Sequence, residues 1–389
     1  TLLVIKIYGT LVGALFVVST FLFAKKITES DGIALWSALF VGVSAIAAWR
    51  TSGFVRPDGV ALTLIPLLLY LWFTRREKLA FILSLALVLL HPLSAVMYAI
   101  ILFIWFVVHV FQKKPYPTLI PFALLGMLAV FWAWVFSIGL PISSYASHIS
   151  LDAGEFTSFP LLGFIIFSPL SWFFVAIGLW KAKPPFLLLV WFFVAILIGG
   201  AGVRLSAYWI PFFSIVAAYG VREVVRFIHP VKCGVAILGF FILVIGCVTV
   251  FMVMDGIQPY FSEGGKDAAS FLRSYAHPQD SVLTTWDYGH VLAYYTGLPQ
   301  VIDGYFEFAH ELDERNAAMK TALSTSLCTT YLNALDEFSA RFHFIPRDEL
   351  YSQGGEQGVL ALERCEPIRT IYSSNDARIL ERVPKILPH

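Results

Sequence analysis

Charge is scarce in this chain. Asp, Glu, Lys and Arg make up 14% of its 389 residues, against about 25% in ordinary soluble domains. That shortage, with 58% hydrophobic residues and a mean hydropathy of +0.76, excludes a soluble globular protein and a disordered chain. A net charge of +1 leaves no electrostatic footprint for a polyanion, so no nucleic-acid partner is expected. Cysteine is rare, at four residues, and no Cys/His group has zinc-site spacing. The glycine pairs at 264–265 and 354–355 lack the strand-to-helix context of a phosphate loop. There is no basic n-region or cleavage site, so the start does not read as a signal peptide. Residue 1 is Thr at the edge of an apolar run, which reads as a fragment without its natural N-terminus.

What the chain has in abundance is apolar sequence of bilayer length, at about 20 residues per helix. Ten spans are predicted, near residues 2–23, 33–49, 59–73, 79–91, 93–111, 118–138, 161–180, 186–200, 205–221 and 233–254. Read as one helix, 79–111 would be about 50 Å long at 1.5 Å per residue, so His91-Pro92 is taken as a break. Alternate loops then carry twelve basic residues (among them Lys25, Lys26, Arg75, Arg76, Lys78, Lys113 and Lys114), and the others only Arg50, Arg56 and Arg204. Such asymmetry makes the basic loops cytoplasmic. The residues from 256 onward hold 11 of the 27 Lys/Arg and 18 of the 26 Asp/Glu. The expected organisation is therefore a transmembrane region over 1–255 and an extracytoplasmic domain over 256–389.

In that second domain, helical spacing covers 266–276, 311–322 and 329–338, and strands are expected at 281–285, 300–303, 341–345, 368–373 and 377–383. A turn at Asp287–Gly289 is expected to lead into an aromatic helix over 290–295. Alternating strands and helices predict a small α/β fold. Cys233 and Cys247 read as small core residues of the last span. Cys328 and Cys365 lie on the side where a disulfide is permissible.

A membrane protein with so few outer charges offers few candidates for chemistry. Isolated charges at span boundaries are costly, at least about 2.5–3.5 kcal/mol at membrane depth. Those on the outer side are Arg50, Arg56, Asp58, Asp152, Glu155 and Arg204. Asp58 suits a hard divalent cation; equally, Pro57 and Asp58 match a helix start stabilised by the macrodipole. Arg50, Arg56 and Arg204 suit phosphate oxygens, or they snorkel to headgroups. Glu155 is either a solvated acid or a second metal carboxylate. Trp286-Asp287-Tyr288-Gly289-His290 presents a carboxylate between flat apolar walls, fit for an extended peptide or a sugar; its plainer role is a packed turn at a strand end.

Trp286–Gly289 resembles the WWDYG motif of the catalytic subunit of archaeal-type N-oligosaccharyltransferases, membrane glycosyltransferases of the GT-C superfamily. Arg50–Asp58 resembles that family's second acidic motif, and Arg204-Leu-Ser-Ala-Tyr-Trp-Ile-Pro resembles its Arg-Phe-x-x-Tyr-x-x-Pro segment. The three patches occur in family order. The resemblance implies a glycan moved from a polyprenyl-(pyro)phosphate carrier to a sequon Asn of a protein acceptor. It implies a divalent metal, Mn or Mg, at Asp58 and Glu155, with Arg56 and Arg204 near the reacting phosphate. It also implies acceptor contacts from Trp286, Asp287 and Tyr288, beside which His290 stands, in a prokaryotic, archaeal cell membrane. The chain departs from the family in having Thr285 for the first Trp and Arg56 for the first acid. The first acidic outer loop and the later helix motif have no counterpart. An Arg-Pro-Asp start to a span also fits GT-C enzymes that use lipid-phosphate monosaccharides, and a degenerate non-catalytic relative is a further alternative. Transport is disfavoured, because the spans are nearly free of charge apart from Lys6.

Overall fold

The structure, a computed structural model, describes residues 2–44, 47, 57–138, 169–199, 207–228, 233–256, 262–301, 312–325, 327–346 and 362–383. The chain divides into two compact units, Thr1–Gly256 and Ile257–His389.

The described part of the N-terminal unit consists of α1 (Leu2–Thr28), α2 (Asp31–Gly42), α3 (Pro57–Phe73), α4 (Glu77–Leu90), α5 (Pro92–Phe111), α6 (Ile120–Ile138), α7 (Pro169–Lys181), α8 (Phe186–Gly199), α9 (Ile210–Ile228) and α10 (Gly234–Gly256). Among the described residues, the helices at Ile7–Thr28 and Pro92–Phe111 are long and apolar enough to cross a membrane. Asp31–Gly42, Gly59–Phe73, Ile120–Ala133, Phe186–Leu197 and Gly234–Val250 are shorter apolar helices. Their boundaries follow local chemistry. Ser30 caps α2, its hydroxyl accepting the Ile33 N–H at 3.3 Å. The chain breaks between α4 and α5 at His91, which is extended (φ −159°, ψ 97°). Pro92 disfavours a helical conformation before it and is itself suited to a first helical turn.

Three expected spans differ from the described helices or run beyond the described residues, since 45–46, 48–49 and 161–168 lie outside them. The helix expected over 33–49 ends at Gly42, where Val43 leaves the helical region. In the stretch 161–180 the described helix begins at Pro169. The span over 205–221 opens instead as a 3₁₀ turn, Ala207–Trp209, before α9 runs on past Arg222 to Ile228.

Helix α9 is the centre of the unit, with every residue from Ile210 to Val221 buried. It crosses α7 at the distance of bare backbone. A Cβ added at Gly220 would lie 1.9 Å from the Phe174 carbonyl oxygen, and one at Gly178 would lie 2.3 Å from the Val216 carbonyl oxygen. Small residues at a crossing let two helices approach this closely where apolar surroundings supply no hydrophobic drive. Beside it Phe23, Phe73, Trp105, Trp191 and Phe212 form an aromatic cluster, with Phe73 stacked on Trp105 at 4.2 Å. Outward, α10 presents Phe240, Phe241, Leu243 and Val248 to the surroundings, as a helix facing lipid does.

The C-terminal unit comprises α11 (Glu263–Tyr275), β1 (Ser281–Leu283), α12 (Trp286–Thr296), α13 (Leu312–Ser324), α14 (Cys328–Glu337), β2 (Ala340–Pro346), β3 (Ile368–Ser373) and β4 (Ala377–Arg382). Its sheet has the order β1-β2-β4-β3. Strand β1 runs parallel to β2, with Leu283 opposite His343, and β4 is antiparallel to both of its neighbours. One face packs Val282, Phe342, Phe344 and Ile379 against Leu272 of α11 and Leu292 of α12. The other packs Leu283, Ile345 and Leu380 against Met319 of α13 and Tyr331 of α14. This is a three-layer α/β fold. A disulfide joins Cys328 to Cys365 with their Cα atoms 5.7 Å apart.

Of the strand expected over 300–303, residues 302–303 lie outside the described residues, and Gln300 makes an isolated parallel bridge with Val282. The strand expected over 281–285 stops at Leu283, because Thr285 is already the N-cap residue of α12.

Candidate functional site

The WDYG segment is not the turn its Asp and Gly suggest. It forms the first turn of α12, which starts at Trp286, four residues before the expected helix. Thr285 is extended (φ −66°, ψ 148°), and its carbonyl accepts the N–H groups of Tyr288 at 3.0 Å and Gly289 at 3.1 Å. Asp287 thereby falls in the first turn, where the macrodipole favours a negative charge. The Tyr288 ring is 9% exposed and packs into the core formed with α11 and β2. At Trp286, Asp287 and His290 the helix backbone is described and the side chains are not.

The placement of this turn is informative. It follows the carboxyl end of β1, and β1 is parallel to β2 on one side and to the Gln300 bridge on the other. All three segments therefore end on the same edge of the sheet. In α/β sheets, ligands bind at the carboxyl ends of parallel strands.

Behind that edge the unit holds buried, hydrogen-bonded polar groups. His343 of β2 is fully buried, with Nδ1 2.8 Å from the Tyr331 hydroxyl. Burial lowers the His343 pKa to about 3 and pushes the Tyr331 phenol well above its ordinary value. The ring is therefore neutral, and the phenol supplies the proton of the bond when Nδ1 accepts. Glu381 is 1% exposed. Burial opposes its ionisation, but hydrogen bonds from Arg369, Arg341 and Tyr275 outweigh burial and hold its carboxyl below the usual range. Arg341 also reaches both oxygens of Asp280, at 3.0 and 3.2 Å. These groups brace α11 against β2, β3 and β4.

In the N-terminal unit, α3 starts at Pro57, which sets Asp58 in the first turn of that helix. Its side chain lies outside the described residues, as do Arg50, Arg56, Asp152, Glu155 and Arg204 altogether. Among the described residues no group of three or more His, Cys, Asp or Glu could hold a metal ion.

One constellation joins the tyrosine of the Arg204–Pro211 segment to two residues that no motif marks. His91 Nδ1 accepts the Ser94 N–H at 3.1 Å and lies 2.7 Å from Ser94 Oγ. Ser94 Oγ is in turn 2.8 Å from the hydroxyl of Tyr208. His91 is 3% exposed, Ser94 0% and Tyr208 6%. The cluster ties the break before α5 to the 3₁₀ turn before α9. Its signals in the sequence are that motif tyrosine and a His at a proline break in apolar sequence.

No family model matches the chain. It is 31% identical over 94 residues to dolichyl-phosphooligosaccharide-protein glycotransferase 2 of Pyrococcus furiosus, a stretch covering 24% of this chain and 12% of that one. Its structure resembles that of the Archaeoglobus fulgidus oligosaccharyltransferase tethered with an acceptor peptide containing the NVT sequon. The TM-score is 0.61 and the identity 11%, over 99% of this chain and 63% of that one. The same enzyme in complex with Zn and sulfate gives 0.59 at 12% identity, over 98% and 62%. ArnT from Cupriavidus metallidurans bound to undecaprenyl phosphate gives 0.55 at 11% identity, over 99% and 85%. The chain thus spans about an eighth of the Pyrococcus protein and less than two thirds of the Archaeoglobus one. Likeness over nearly the whole of this chain shows that it shares the helical fold of the Archaeoglobus oligosaccharyltransferase and of ArnT.

Proposed function

We propose that the chain is part of a multi-pass membrane glycosyltransferase that moves a glycan from a polyprenyl-(pyro)phosphate carrier to a protein acceptor on the outer face. In this reading the N-terminal unit spans the bilayer ten times and handles the lipid-linked donor. The C-terminal unit is extracytoplasmic and handles the acceptor. The observation that carries the proposal is the position of Trp286–Gly289. A segment resembling an acceptor-binding motif opens a helix at the carboxyl end of a parallel strand, in a chain with the fold of an oligosaccharyltransferase.

Trp286 and Asp287 then contact the residue two places after the acceptor Asn, with His290 one helical turn on. Tyr288, packed in the core, sets the angle at which that first turn is presented. Arg56 and Arg204 place positive charge against the phosphate oxygens of the donor, with the bidentate geometry that guanidinium allows. Asp58, with Glu155, is the metal-binding pair of this reading. A divalent cation there supplies neutralisation of the charge that develops on the leaving phosphate. The rest of the rate comes from positioning the acceptor amide and excluding water.

A second reading, a lipid-phosphate monosaccharide donor with a different acceptor, is favoured by the Arg56-Pro57-Asp58 start of α3 and by the likeness to ArnT bound to undecaprenyl phosphate. A cell-free assay separates the two. The full-length protein, a divalent metal and a sequon peptide are incubated with either a lipid-pyrophosphate oligosaccharide or a lipid-phosphate monosaccharide. Glycopeptide from the first donor, lost by at least about a hundredfold in Asp58→Ala, supports the proposal. Transfer from the second donor alone replaces it with the second reading. A fully active Asp58→Ala variant removes Asp58 from the site.

A further inference from the structure

Helices α4 and α6 start side by side. Glu77, the first residue of α4, accepts the Thr118 hydroxyl at 3.2 Å and the Leu119 N–H at 3.3 Å. About two turns further on the helices touch again, where a Cβ added at Gly126 would lie 2.9 Å from Leu85 Cδ2. Between these contacts runs a groove of about 540 Å³, lined by Lys78, Phe81, Ile82, Leu119 and Phe122. That volume falls among those of sites that take small molecules, about 300–1,000 Å³. The lining is apolar apart from Lys78, and Ile82 and Phe122 are mostly exposed.

The end of the groove at Lys78 is basic. Arg75, Arg76 and Lys78 are exposed there, and Lys113 and Lys114 are exposed after α5. The charges of Arg75 and Lys114 both reach His109 in the last turn of α5, so the two basic loops share one end of the bundle. Glu77 is the one carboxylate in residues 74–120, and its oxygens face Thr118, Leu119 and Arg75. Among the described residues Arg76 and Lys78 have no ion-pair partner.

Five cations with one committed carboxylate, beside an exposed apolar groove, complement a molecule with an anionic head and a hydrocarbon tail. A soluble anion would leave the apolar lining in contact with its surroundings, and an uncharged lipid would leave the cations unmatched. Lysine suits the boundary between the two parts, since its stem lies on apolar surface while its ammonium stays among headgroups. We propose that this groove seats an anionic phospholipid of the cytoplasmic leaflet, with its chain along Phe81, Ile82 and Phe122 and its headgroup at Lys78 and the adjoining arginines. The proposal rests on the reading that the N-terminal unit spans the bilayer with its basic loops inside, and it does not depend on transfer activity. A lipid held there braces the starts of α4 and α6 against each other.

The full-length protein in detergent is titrated with phosphatidylglycerol or phosphatidylcholine, and bound lipid is counted by native mass spectrometry. One retained phosphatidylglycerol is expected, preferred over phosphatidylcholine by about tenfold or more. Lys78→Gln keeps the stem and removes the charge. It should weaken phosphatidylglycerol about fivefold and leave phosphatidylcholine unchanged. Ile82→Trp, at an exposed position, fills the groove and should weaken both lipids. Lys183→Gln, at an exposed lysine of another basic loop, should change neither. All three variants should melt like the wild type. Equal losses in Lys78→Gln and Lys183→Gln would make the attraction a property of the whole basic end and overturn the seat. Displacement of phosphatidylglycerol by undecaprenyl phosphate at a lower concentration would make the groove a carrier site and overturn the phospholipid assignment. A lipid-free dimer that separates in Ile82→Trp would make the occupant a second copy, which also overturns it. A membrane-bound protein with no preference between the two lipids overturns the proposal alone. Protein recovered from cells in the aqueous fraction without detergent overturns the bilayer reading and the proposal together.

Discussion

The two units of this chain solve the same problem with different materials. In the N-terminal unit the tightest contact is bare backbone on bare backbone, where Gly178 and Gly220 let α7 and α9 touch. Its described ion pairs lie in the end turns of helices or the loops between them, as with Lys25 and Asp31 at 2.7 Å. In the C-terminal unit a carboxylate, Glu381, is buried among two arginines and a tyrosine, and a disulfide closes a separation of 37 residues. Water explains the contrast. A domain that faces it can bury apolar area and can recruit charge. A bundle surrounded by apolar medium gains little by hiding apolar groups, so closeness of fit carries more of its stability.

That contrast can be broken first at the glycines. Gly220→Ala forces a methyl group against a carbonyl oxygen that cannot give way, so a cost of about 3 kcal/mol or more is expected. Fluorescence-detected size-exclusion melting should show the N-terminal unit failing to assemble, with the fold of the C-terminal unit kept. A variant that melts like the wild type would mean that α7 and α9 separate freely and that their close fit carries no stability. Next is the disulfide. Reduction, or Cys328→Ser with Cys365→Ser, should cost the C-terminal unit about 2–4 kcal/mol, read as a lower melting temperature of that unit alone.

Acid comes third. An unfolded imidazole titrates near pH 6.5, while folded His343 stays neutral down to about 3. Between those values the unfolded chain binds the extra proton. Stability is therefore fully present above about pH 6.5 and is lost as the pH falls towards 3, by up to about 1.4 kcal/mol per unit. Glu381, with its pKa lowered, acts in the same direction further down the carboxylate range. Circular dichroism between pH 7 and pH 4 should show this loss in the wild type and a flatter profile in His343→Leu. The smallest effect is that of salt. Arg341 and Arg369 are partly exposed, so raising ionic strength from 0.1 to 1 M should cost the C-terminal unit under about 1 kcal/mol. The N-terminal unit should not respond; an equal response from both would erase the distinction.

How far these features are legible in the sequence depends on how local they are. The break at His91-Pro92 needs only the proline and a length argument, and α4 and α5 meet there. The start of α12 is harder to place because Asp287 and Gly289 are turn formers. Thr285 before an acidic first turn is also a helix-start signal, and the fold uses that one. The strand expected from Gln300 runs beyond the described residues, within which Gln300 makes an isolated bridge to Val282. The contacts that join His91, Ser94 and Tyr208, and the brace around Glu381, are out of reach. Each joins residues far apart in the chain, and no periodicity in one segment encodes the partner in another.

Burial along Ile210–Val221 has a consequence for how the protein is made. Helix α9 packs on α2, α7 and α8, yet it leaves the ribosome after all of them. At about 5–20 residues per second, the stretch from α2 to α9 takes on the order of ten seconds or more to synthesise. Throughout that interval the groove that will receive α9 has no occupant from the chain itself. Lipid, or the insertion machinery, must hold the earlier helices until their centre arrives. The bundle is thus assembled around a late-made keystone, and its yield in a cell should depend on that wait as much as on the stability of the finished fold.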